Sequence, residues 1–357
     1  MASDTETMRA GAPTLIELGK DGWERVAATA FDTRDTIAAR APAILSRVDA
    51  LSGGLRAVAA FERGRDGAVL RVSQRDAAAA GIWFVGDLHG DVLVLEAAVA
   101  AIDERDPGAR IVLLGDLIDD GPAQALVLRV VEFMLDEPER FTFLAGNHDD
   151  ALVAPTADGD AFTSRVEPGD FALELDGPAG LALGLAYVRA VADAPRALVF
   201  EDGLLVTHAG VPHRDLLPTI VAVADLASPA CQSDFMWLRA ANAPRKRPNR
   251  FSLGGSFGWE DLRAFFDHMA PILGHPLTAL VRGHDHVAGP YRYELHAAWG
   301  GTLMTLNAMC RRLPREAPGP YVRHPVIARY RAGGLPEPMA LPIPDALVRA
   351  FYPEDDT

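Results

Sequence analysis

Three aspartates lie within five positions at the end of an apolar run in the segment IVLLGDLIDDGP, residues 111–122. They are Asp116, Asp119 and Asp120. Carboxylates packed this closely repel one another unless a positive charge lies among them. The segment is therefore either a solvated turn after a buried strand or one part of a metal-binding site.

Aspartate, asparagine and histidine follow four other apolar runs in the same way. They are Asp87 and His89 in GDLHGD, Asn147 and His148 in GNHDD, His208 in THAG, and His284 and His286 in RGHDH. Any one of these motifs alone is more typical of a turn or of a buried histidine. Together they offer carboxylate, amide and imidazole ligands, a mixture that suits manganese, iron or zinc.

Short strands and helices in alternation must position these residues. The runs GIWFVGD, RIVLLGD, FTFLAGN and GLLVTHAG are typical of strands buried on both faces, and TALVRGH and GTLMTLNAM fit two more. VLVLEAAVAAIDE and AQALVLRVVEFMLDE have the period and length of helices. This alternation predicts an α/β sheet with right-handed crossovers. Because ligands bind at the carboxyl ends of such strands, the polar residues should meet there.

Composition excludes several classes of protein. The chain has 357 residues and a formal net charge of −15, which argues against broad non-specific binding to nucleic acid. Cys231 and Cys310 are the two cysteines and form no disulfide framework, so a reducing compartment is expected. The N-terminal residues do not resemble a signal peptide, and no apolar run reaches about 18 residues. We therefore expect a cytoplasmic protein without a membrane span.

The order of the motifs GDLHG, GDLIDDG, GNHD, HAG and GHDH resembles that of the calcineurin-like metallophosphoesterase superfamily. PERFTFLAGNHDDA, SFGWEDLRAFF, LVRGHDHVAGPYRY and TLMTLNAMC resemble the corresponding stretches of PPP-type protein serine/threonine phosphatases, in particular the bacterial ones. The resemblance covers residues 82–312 and implies a layered α/β/β/α sandwich.

The same resemblance implies a three-part organisation of the chain. Residues 1–80 would form an N-terminal helical extension, because residues 15–62 have the apolar spacing of two or three helices. Residues 81–330 would form the metallophosphoesterase domain, with a strand at PVIARYRA. Residues 331–357 would be a C-terminal tail that packs on the surface of the domain.

Carried over residue by residue, the resemblance implies two divalent ions, with Mn²⁺ favoured over Fe or Zn. The first would be held by Asp87, His89 and Asp116, and the second by Asp116, Asn147, His208 and His284. His286 would be a further ligand of the first ion, as in the broader superfamily. His148 would be the general acid and Asp119 its carboxylate partner.

The implied chemistry agrees with these residue types. Two ions about 3.5–4 Å apart can clamp a phosphoryl group and activate a bridging hydroxide, which would attack phosphorus directly without a phosphoenzyme. The leaving alkoxide needs a proton. A histidine held by a carboxylate can supply it, since the carboxylate raises the pKa of the imidazole.

The sequence departs from the PPP pattern at the phosphate-binding positions. Asp120 stands where these phosphatases have an arginine that binds the substrate phosphate, and losing such a contact costs about 1.5–3 kcal/mol. Arg250, after the basic run APRKRPN, resembles their second phosphate-binding arginine. Arg282, Arg311 and the amide of Asn147 are further candidates for binding phosphate. Asp149 replaces the usual glutamate after GNH.

The sequence therefore predicts a hydrolase that removes phosphate from phosphoserine or phosphothreonine, or from phosphotyrosine, in proteins. One alternative is a phosphohydrolase of dinucleoside polyphosphates or other nucleotides, which GDLIDDGP and GNHDD also resemble. Another is a metal-binding scaffold that has lost turnover together with its arginine. The expected partner is a phosphorylated protein or small phosphoester, with no nucleic acid and no membrane.

Overall fold

The computed structural model describes residues 12–156, 161–249, 254–287, 291, 293–295, 299–311 and 324–353. Two β-sheets lie face to face, and a layer of helices covers the outer face of each. This is the α/β/β/α layering that the family resemblance implies.

The first sheet has six strands in the order β1-β17-β16-β4-β5-β6. Their bounds are β1 (Thr14–Leu15), β4 (Ile82–Val85), β5 (Arg110–Leu113), β6 (Phe141–Phe143), β16 (Val326–Tyr330) and β17 (Glu337–Ala340). Strands β4, β5 and β6 are parallel, and β16 runs antiparallel to β4. The three strands that lead to GDLHGD, GDLIDDGP and GNHDD thus lie side by side and end at the same edge.

The second sheet has seven strands in the order β14-β15-β13-β10-β9-β3-β2. Their bounds are β2 (Arg65–Asp66), β3 (Val69–Val72), β9 (Ala197–Phe200), β10 (Leu204–Thr207), β13 (Ala279–Arg282), β14 (Tyr293–Leu295) and β15 (Leu303–Leu306). Strands β10, β13 and β15 are parallel. Two short pairs stand apart from both sheets, β7 (Leu152–Val153) with β8 (Thr163–Ser164) and β11 (Arg239–Ala240) with β12 (Ser256–Phe257).

Alternation of side chains explains why the strand sequences are apolar throughout. Phe84 of β4 packs between the sheets, where its ring centroid lies 6.2 Å from that of Phe200 on β9. Its neighbour Trp83 points to the other face and joins the core beneath the helices. Successive side chains of a strand point to opposite faces, and here both faces are covered, so each position is apolar.

Helices α1, α3, α4 and α7 cover the first sheet, and α8 and α9 cover the second. The helices are α1 (Lys20–Asp49), α2 (Gln74–Ala79), α3 (Val92–Arg105), α4 (Gln124–Asp136), α5 (Asn147–Ala151), α6 (Asp170–Glu174), α7 (Gly177–Asp193), α8 (Pro229–Trp237), α9 (Trp259–Leu273) and α10 (Asp345–Phe351). Within the described ranges, none of them is long and apolar enough to cross a membrane.

The N-terminal segment differs from the prediction in two ways. One helix of 30 residues, α1, takes the place of the two or three expected, and it packs against α3 and α4. Glu96 of α3 links the three helices, because its Oε1 accepts hydrogen bonds from Thr33 Oγ1 at 3.1 Å and from Arg129 Nε at 2.6 Å. FERGRDGAVLRVSQRD, residues 61–76, has the pattern of a loop and a short strand, and β3 confirms that strand. The second difference is that β1, β2 and β3, all before residue 80, belong to the two sheets, so this segment is more than a helical extension.

The C-terminal segment also enters the sheet. Residues 331–357 were expected to pack on the surface, but β17 lies between β1 and β16 in the first sheet. Its pairing with β1 joins the two ends of the chain, with Thr14 beside Met339. Backbone hydrogen bonds between segments far apart in sequence determine this pairing of β1 with β17. Neither short strand has a clear hydrophobic period that would have predicted it.

Candidate metal centre

The carboxyl ends of the parallel strands of both sheets converge on one site. From the first sheet, β4 leads to Asp87 and His89, β5 to Asp116, and β6 to Asn147. From the second sheet, β10 leads to His208, and β13 leads to His284 and His286. The predicted ligands therefore come together where the open ends of the two sheets meet.

These residues form two adjoining clusters. Asp87, His89 and His286 make the first, and Asp116, His208 and His284 make the second, with ligand atoms within 4.8 Å of one another in each. Asp116 Oδ2 lies 3.8 Å from His89 Nε2 and 3.4 Å from His208 Nε2, so its carboxylate stands between the clusters. Asn147 Oδ1 lies 3.1 Å from His208 Nε2, beside the second cluster.

The imidazoles are oriented as metal ligands require. His89 Nδ1 donates to the carbonyl of Ile118 at 3.0 Å, and His208 Nδ1 donates to the carbonyl of Leu114 at 2.8 Å. These bonds turn each Nε2 towards the clusters. In the described part of the chain, the buried Nε2 atoms of His89 and His284 have no hydrogen-bond partner. Buried nitrogens of this kind fit a divalent cation.

The two buried carboxylates also fit a cation. Burial raises the pKa of Asp87, because a carboxylate out of contact with water loses its solvation. Burial acts in the same direction on Asp116, but the nearby imidazoles of His208 and His148 outweigh it and hold the pKa of Asp116 well below its usual value. The donor set as a whole, carboxylate, amide and imidazole, suits divalent manganese, iron or zinc.

The loops that carry the ligands have strained backbones. Positive φ angles occur at His89 (42°), Asp116 (50°), Asp119 (66°), Asp120 (55°) and His284 (67°). Such angles cost about 1–3 kcal/mol each for residues other than glycine, and they cluster at functional sites. Gly146 allows the loop after β6 to cross that of β5, since a side chain there would collide with the backbone and carboxylate of Asp116.

Asp149 holds two of these loops together. Its carboxylate accepts hydrogen bonds from the backbone N–H groups of Asp116, Leu117 and Gly146 at 2.8–2.9 Å. Tyr187 of α7 donates its hydroxyl proton to Asp149 Oδ1 at 2.7 Å. The replacement of glutamate by Asp149 noted in the sequence therefore leaves a fully bonded carboxylate. Tyr187 carried no sequence signal, because only tertiary packing brings α7 to this loop.

Asp87 links the two sheets. Its carboxylate accepts from the backbone N–H of His284 at 2.9 and 3.0 Å, although β4 and β13 belong to different sheets. Asn307, after β15, also donates to Asp87 Oδ2 at 3.3 Å. Asn307 lies in the TLNAM stretch, and neither its residue type nor its spacing predicted this contact.

His148 and Asp119 form the pair that the sequence predicts. His148 Nδ1 donates to Asp119 Oδ2 at 3.0 Å, and Asp119 Oδ1 accepts from the backbone N–H of Phe171 at 3.1 Å. The His148 ring lies 5.1 Å from that of His89. Burial lowers the pKa of His148, but Asp116 and the hydrogen-bonded Asp119 outweigh it and raise the pKa to about 9. In the metal-free protein this favours the protonated imidazole at neutral pH.

The candidate phosphate-binding arginines lie in different surroundings. Arg250 lies outside the described residues. Arg282 is fully buried, and its Nη1 donates to Asp285 Oδ2 at 2.6 Å. Contrary to the prediction, it therefore does not face a substrate. Arg311 is also buried, with its guanidinium against Gly121 and 5.2 Å from the Tyr352 ring.

Comparison with known proteins agrees with the fold and the site. The model of the calcineurin-like phosphoesterase family matches residues 80–288, more than half of the chain, so the chain belongs to this family. Serine/threonine-protein phosphatase 2 of Escherichia coli (strain K12) is 30% identical over 95 residues, which span 27% of this chain and 41% of that relative. The match thus covers less than half of the relative's length.

A solved structure shows the same fold. It is a protein serine/threonine phosphatase from Saccharomyces cerevisiae with similarity to human phosphatase PP5, and it matches with a TM-score of 0.54 and 14% identity. The match covers 89% of this chain and 88% of that one. At this identity the likeness concerns the fold alone.

The number of metal ions bound per chain should correspond to the two ligand clusters. We expect two divalent ions per chain, and Asp116→Asn should lose both because its carboxylate lies between the clusters. His286→Asn should weaken only the first site. His268→Asn is the matched control, since His268 bonds the carbonyl of Ile220 away from the centre. Elemental analysis after dialysis measures the stoichiometry, and two retained ions in Asp116→Asn would contradict the shared position.

The protonation of His148 can be measured in metal-free protein by NMR titration of its ring. We expect a midpoint near pH 9, with the imidazolium present below that pH and lost as the pH rises through it. Asp119→Asn removes the bonded carboxylate and should lower the midpoint towards 6.5, the ordinary value. An unchanged midpoint would show that Asp119 does not raise the pKa of His148.

Proposed function

We propose that this metallophosphoesterase is a protein phosphatase that hydrolyses phosphoserine and phosphothreonine, with phosphotyrosine as a further substrate. The observation that carries the proposal is that the His148–Asp119 pair lies beside two adjoining ligand clusters, with the carboxylate of Asp116 between them. The identity with the serine/threonine phosphatase of Escherichia coli supports the same substrate class.

Two divalent ions, which we propose to be Mn²⁺, would be held by the two clusters and Asn147. Fe and Zn suit the same donors. When bound, such a pair of ions supplies charge stabilisation for a transferring phosphoryl group and lowers the pKa of water. The protein residues provide everything else in the reaction, namely orientation, proton transfer and recognition.

His148 would donate a proton to the leaving oxygen from Nε2. Asp119 accepts the proton of Nδ1, which fixes the ring orientation and leaves Nε2 as the donor towards the centre. A serine or threonine alkoxide is a poor leaving group, so a positioned acid accelerates its departure by about 10²–10⁴-fold. In the metal-free protein the pKa of His148 is raised, which favours the protonated ring that this role needs.

The charge around His148 favours an alcohol over a polyphosphate as the leaving group. Asp119 and Asp120 lie close enough to raise the pKa of His148. Burial raises the pKa of Asp170, and Asp119 and Asp120 add to the rise, so Asp170 lies on the same acidic side of the site. A departing polyphosphate would carry several negative charges past these carboxylates, and it needs protonation less than an alkoxide does. We therefore favour phosphoprotein over dinucleoside polyphosphate as the substrate.

A substrate panel with purified protein and Mn²⁺ tests the proposal. We expect phosphoserine and phosphothreonine peptides to be hydrolysed faster than diadenosine polyphosphates. In His148→Asn, turnover of the peptides should fall by about 10²–10⁴-fold. Turnover of para-nitrophenyl phosphate, whose leaving group needs no acid, should fall much less. Equal losses on both would refute a general-acid role, and preference for the dinucleotide would refute the substrate class.

Asp120 should limit the affinity for a dianionic ester. Asp120→Asn removes a negative charge and keeps a residue that tolerates a positive φ. We expect kcat/KM on phosphopeptides to rise about fivefold, because a like charge about 4 Å away costs about 1 kcal/mol even in water. Asp136→Asn, a change on exposed α4 surface, is the control. An unchanged or lower kcat/KM would mean that Asp120 does not repel the substrate.

A further inference from the structure

Asp91 ends the GDLHGD motif, two residues after the predicted ligand His89. Its side chain is fully buried, and its Oδ1 accepts a hydrogen bond from the backbone N–H of Val94 at 3.0 Å, which caps the start of α3. Its Oδ2 accepts from the backbone N–H groups of Cys310 and Arg311 at 2.7 and 3.3 Å. Because these two residues follow β15, Asp91 links the loop after β4 to the second sheet.

A further hydrogen bond to Asp91 comes from the C-terminal end of the chain. Tyr352, which directly follows α10, donates its hydroxyl proton to Asp91 Oδ1 at 2.7 Å. Only 6% of Tyr352 is exposed, so this bond is shielded from water. A buried carboxyl group is costly unless its oxygens are hydrogen-bonded. The hydroxyl of Tyr352 therefore helps to hold Asp91 in its place.

Tyr352 also supports the loop after β5 that contains GDLIDDGP. The guanidinium carbon of Arg311 lies 5.2 Å from the centre of the Tyr352 ring, within the range of a cation–π interaction. The same guanidinium packs against Gly121, where a side chain would collide with it. Through Asp91 and Arg311, one tyrosine is thus connected to the loops after both β4 and β5.

Helix α1 fixes the position of α10. The ring centroids of Phe31 and Phe351 lie 5.0 Å apart, and the guanidinium of Arg34 lies over both rings, at 4.7 and 4.9 Å. Arg34 Nη1 also donates to the backbone carbonyl of Phe351 at 3.2 Å. The residue before Tyr352 is therefore held by the long N-terminal helix, and a continuous series of contacts leads from α1 to Asp91.

We propose that Tyr352 is a positioning residue of the metal centre, and that its hydroxyl fixes the His89 loop through Asp91. Gly90 separates the two loop residues, and its N–H donates to the carbonyl of Leu117 at 2.9 Å, so a displacement of Asp91 would move His89 relative to the loop after β5. Groups that orient metal ligands from outside the ligand set affect the affinity for the ion. The inference rests on the proposed two-ion centre and not on the identity of the phosphoester.

Tyr352→Phe tests the hydroxyl alone, because phenylalanine keeps the ring beside Arg311. We expect the dissociation constant of Mn²⁺ at the first cluster to rise about tenfold, the lower end of the range for residues that support metal ligands. The constant at the second cluster should stay close to that of the wild type. Release of Mn²⁺ from the metal-loaded, full-length protein into a competing chelator measures both constants. The constant that His286→Asn raises identifies the first cluster.

Tyr330→Phe is the matched control. Tyr330 also donates its hydroxyl proton to a carboxylate, that of Asp202. It pairs with Ile82 at the start of β4, whereas the metal centre lies beyond the end of this strand. Both variants should lower the melting temperature, since each loses a hydrogen bond to a carboxyl group. Only Tyr352→Phe should change the affinity for Mn²⁺.

A double variant shows whether the hydroxyl acts through Asp91. Asp91→Asn alone should weaken the first ion at least as much as Tyr352→Phe does, because an amide nitrogen cannot accept the hydrogen bonds that a carboxylate oxygen accepts. Combining the two changes should add little further loss, since the effects of residues in direct contact are not additive.

Three results would overturn the inference. One is an unchanged Mn²⁺ constant at the first cluster in Tyr352→Phe, which would leave Tyr352 a role in packing only. Another is an equal loss at both clusters, which would mean a general loosening of the fold. The third is additive loss in the double variant. Failure of the proposed function has a different signature, because the wild type would then bind two ions and hydrolyse no phosphoester.

Discussion

The burial of Asp87 and Asp116 among histidines is the constraint on which the rest of the site depends. A buried carboxylate is costly unless it is paired and hydrogen-bonded. Backbone N–H groups of other loops meet part of this need, since His284 donates to Asp87 and His148 donates to Asp116. The positive φ angles and the glycines of these loops follow, because only sharp turns bring the backbone donors so close. Bound cations would compensate the rest of the cost of burying these two carboxylates.

The two facing sheets provide the place where such loops can meet. The parallel strands of each sheet end at one edge, and Asp87 of the first sheet is bonded to the His284 loop of the second. The helical layers bury the outer faces of the sheets and support the loops from behind, as Tyr187 does through Asp149. Residues far from the ligands in sequence therefore decide how rigidly the ligands are held.

Charge is distributed unevenly around the centre, and this bears on recognition. Aspartates flank His148, where an alcohol would leave, whereas Arg239 and Arg282 outnumber Asp285 near His284.

The sequence by itself determined the strands β4, β5, β6, β10, β13, β15 and β16, the helices α3 and α4, and the metal-ligand candidates at the strand ends. Apolar runs and turn glycines are local signals, so these elements could be recognised without the fold, and the layering followed from a family resemblance. The tertiary structure alone decided that β1 and β17 join the first sheet, that Tyr187 supports Asp149, and that Arg282 is buried whereas Arg239 is partly exposed. These features depend on contacts between residues far apart in the chain, and an arginine has the same local pattern whether its guanidinium ends in the core or in solvent.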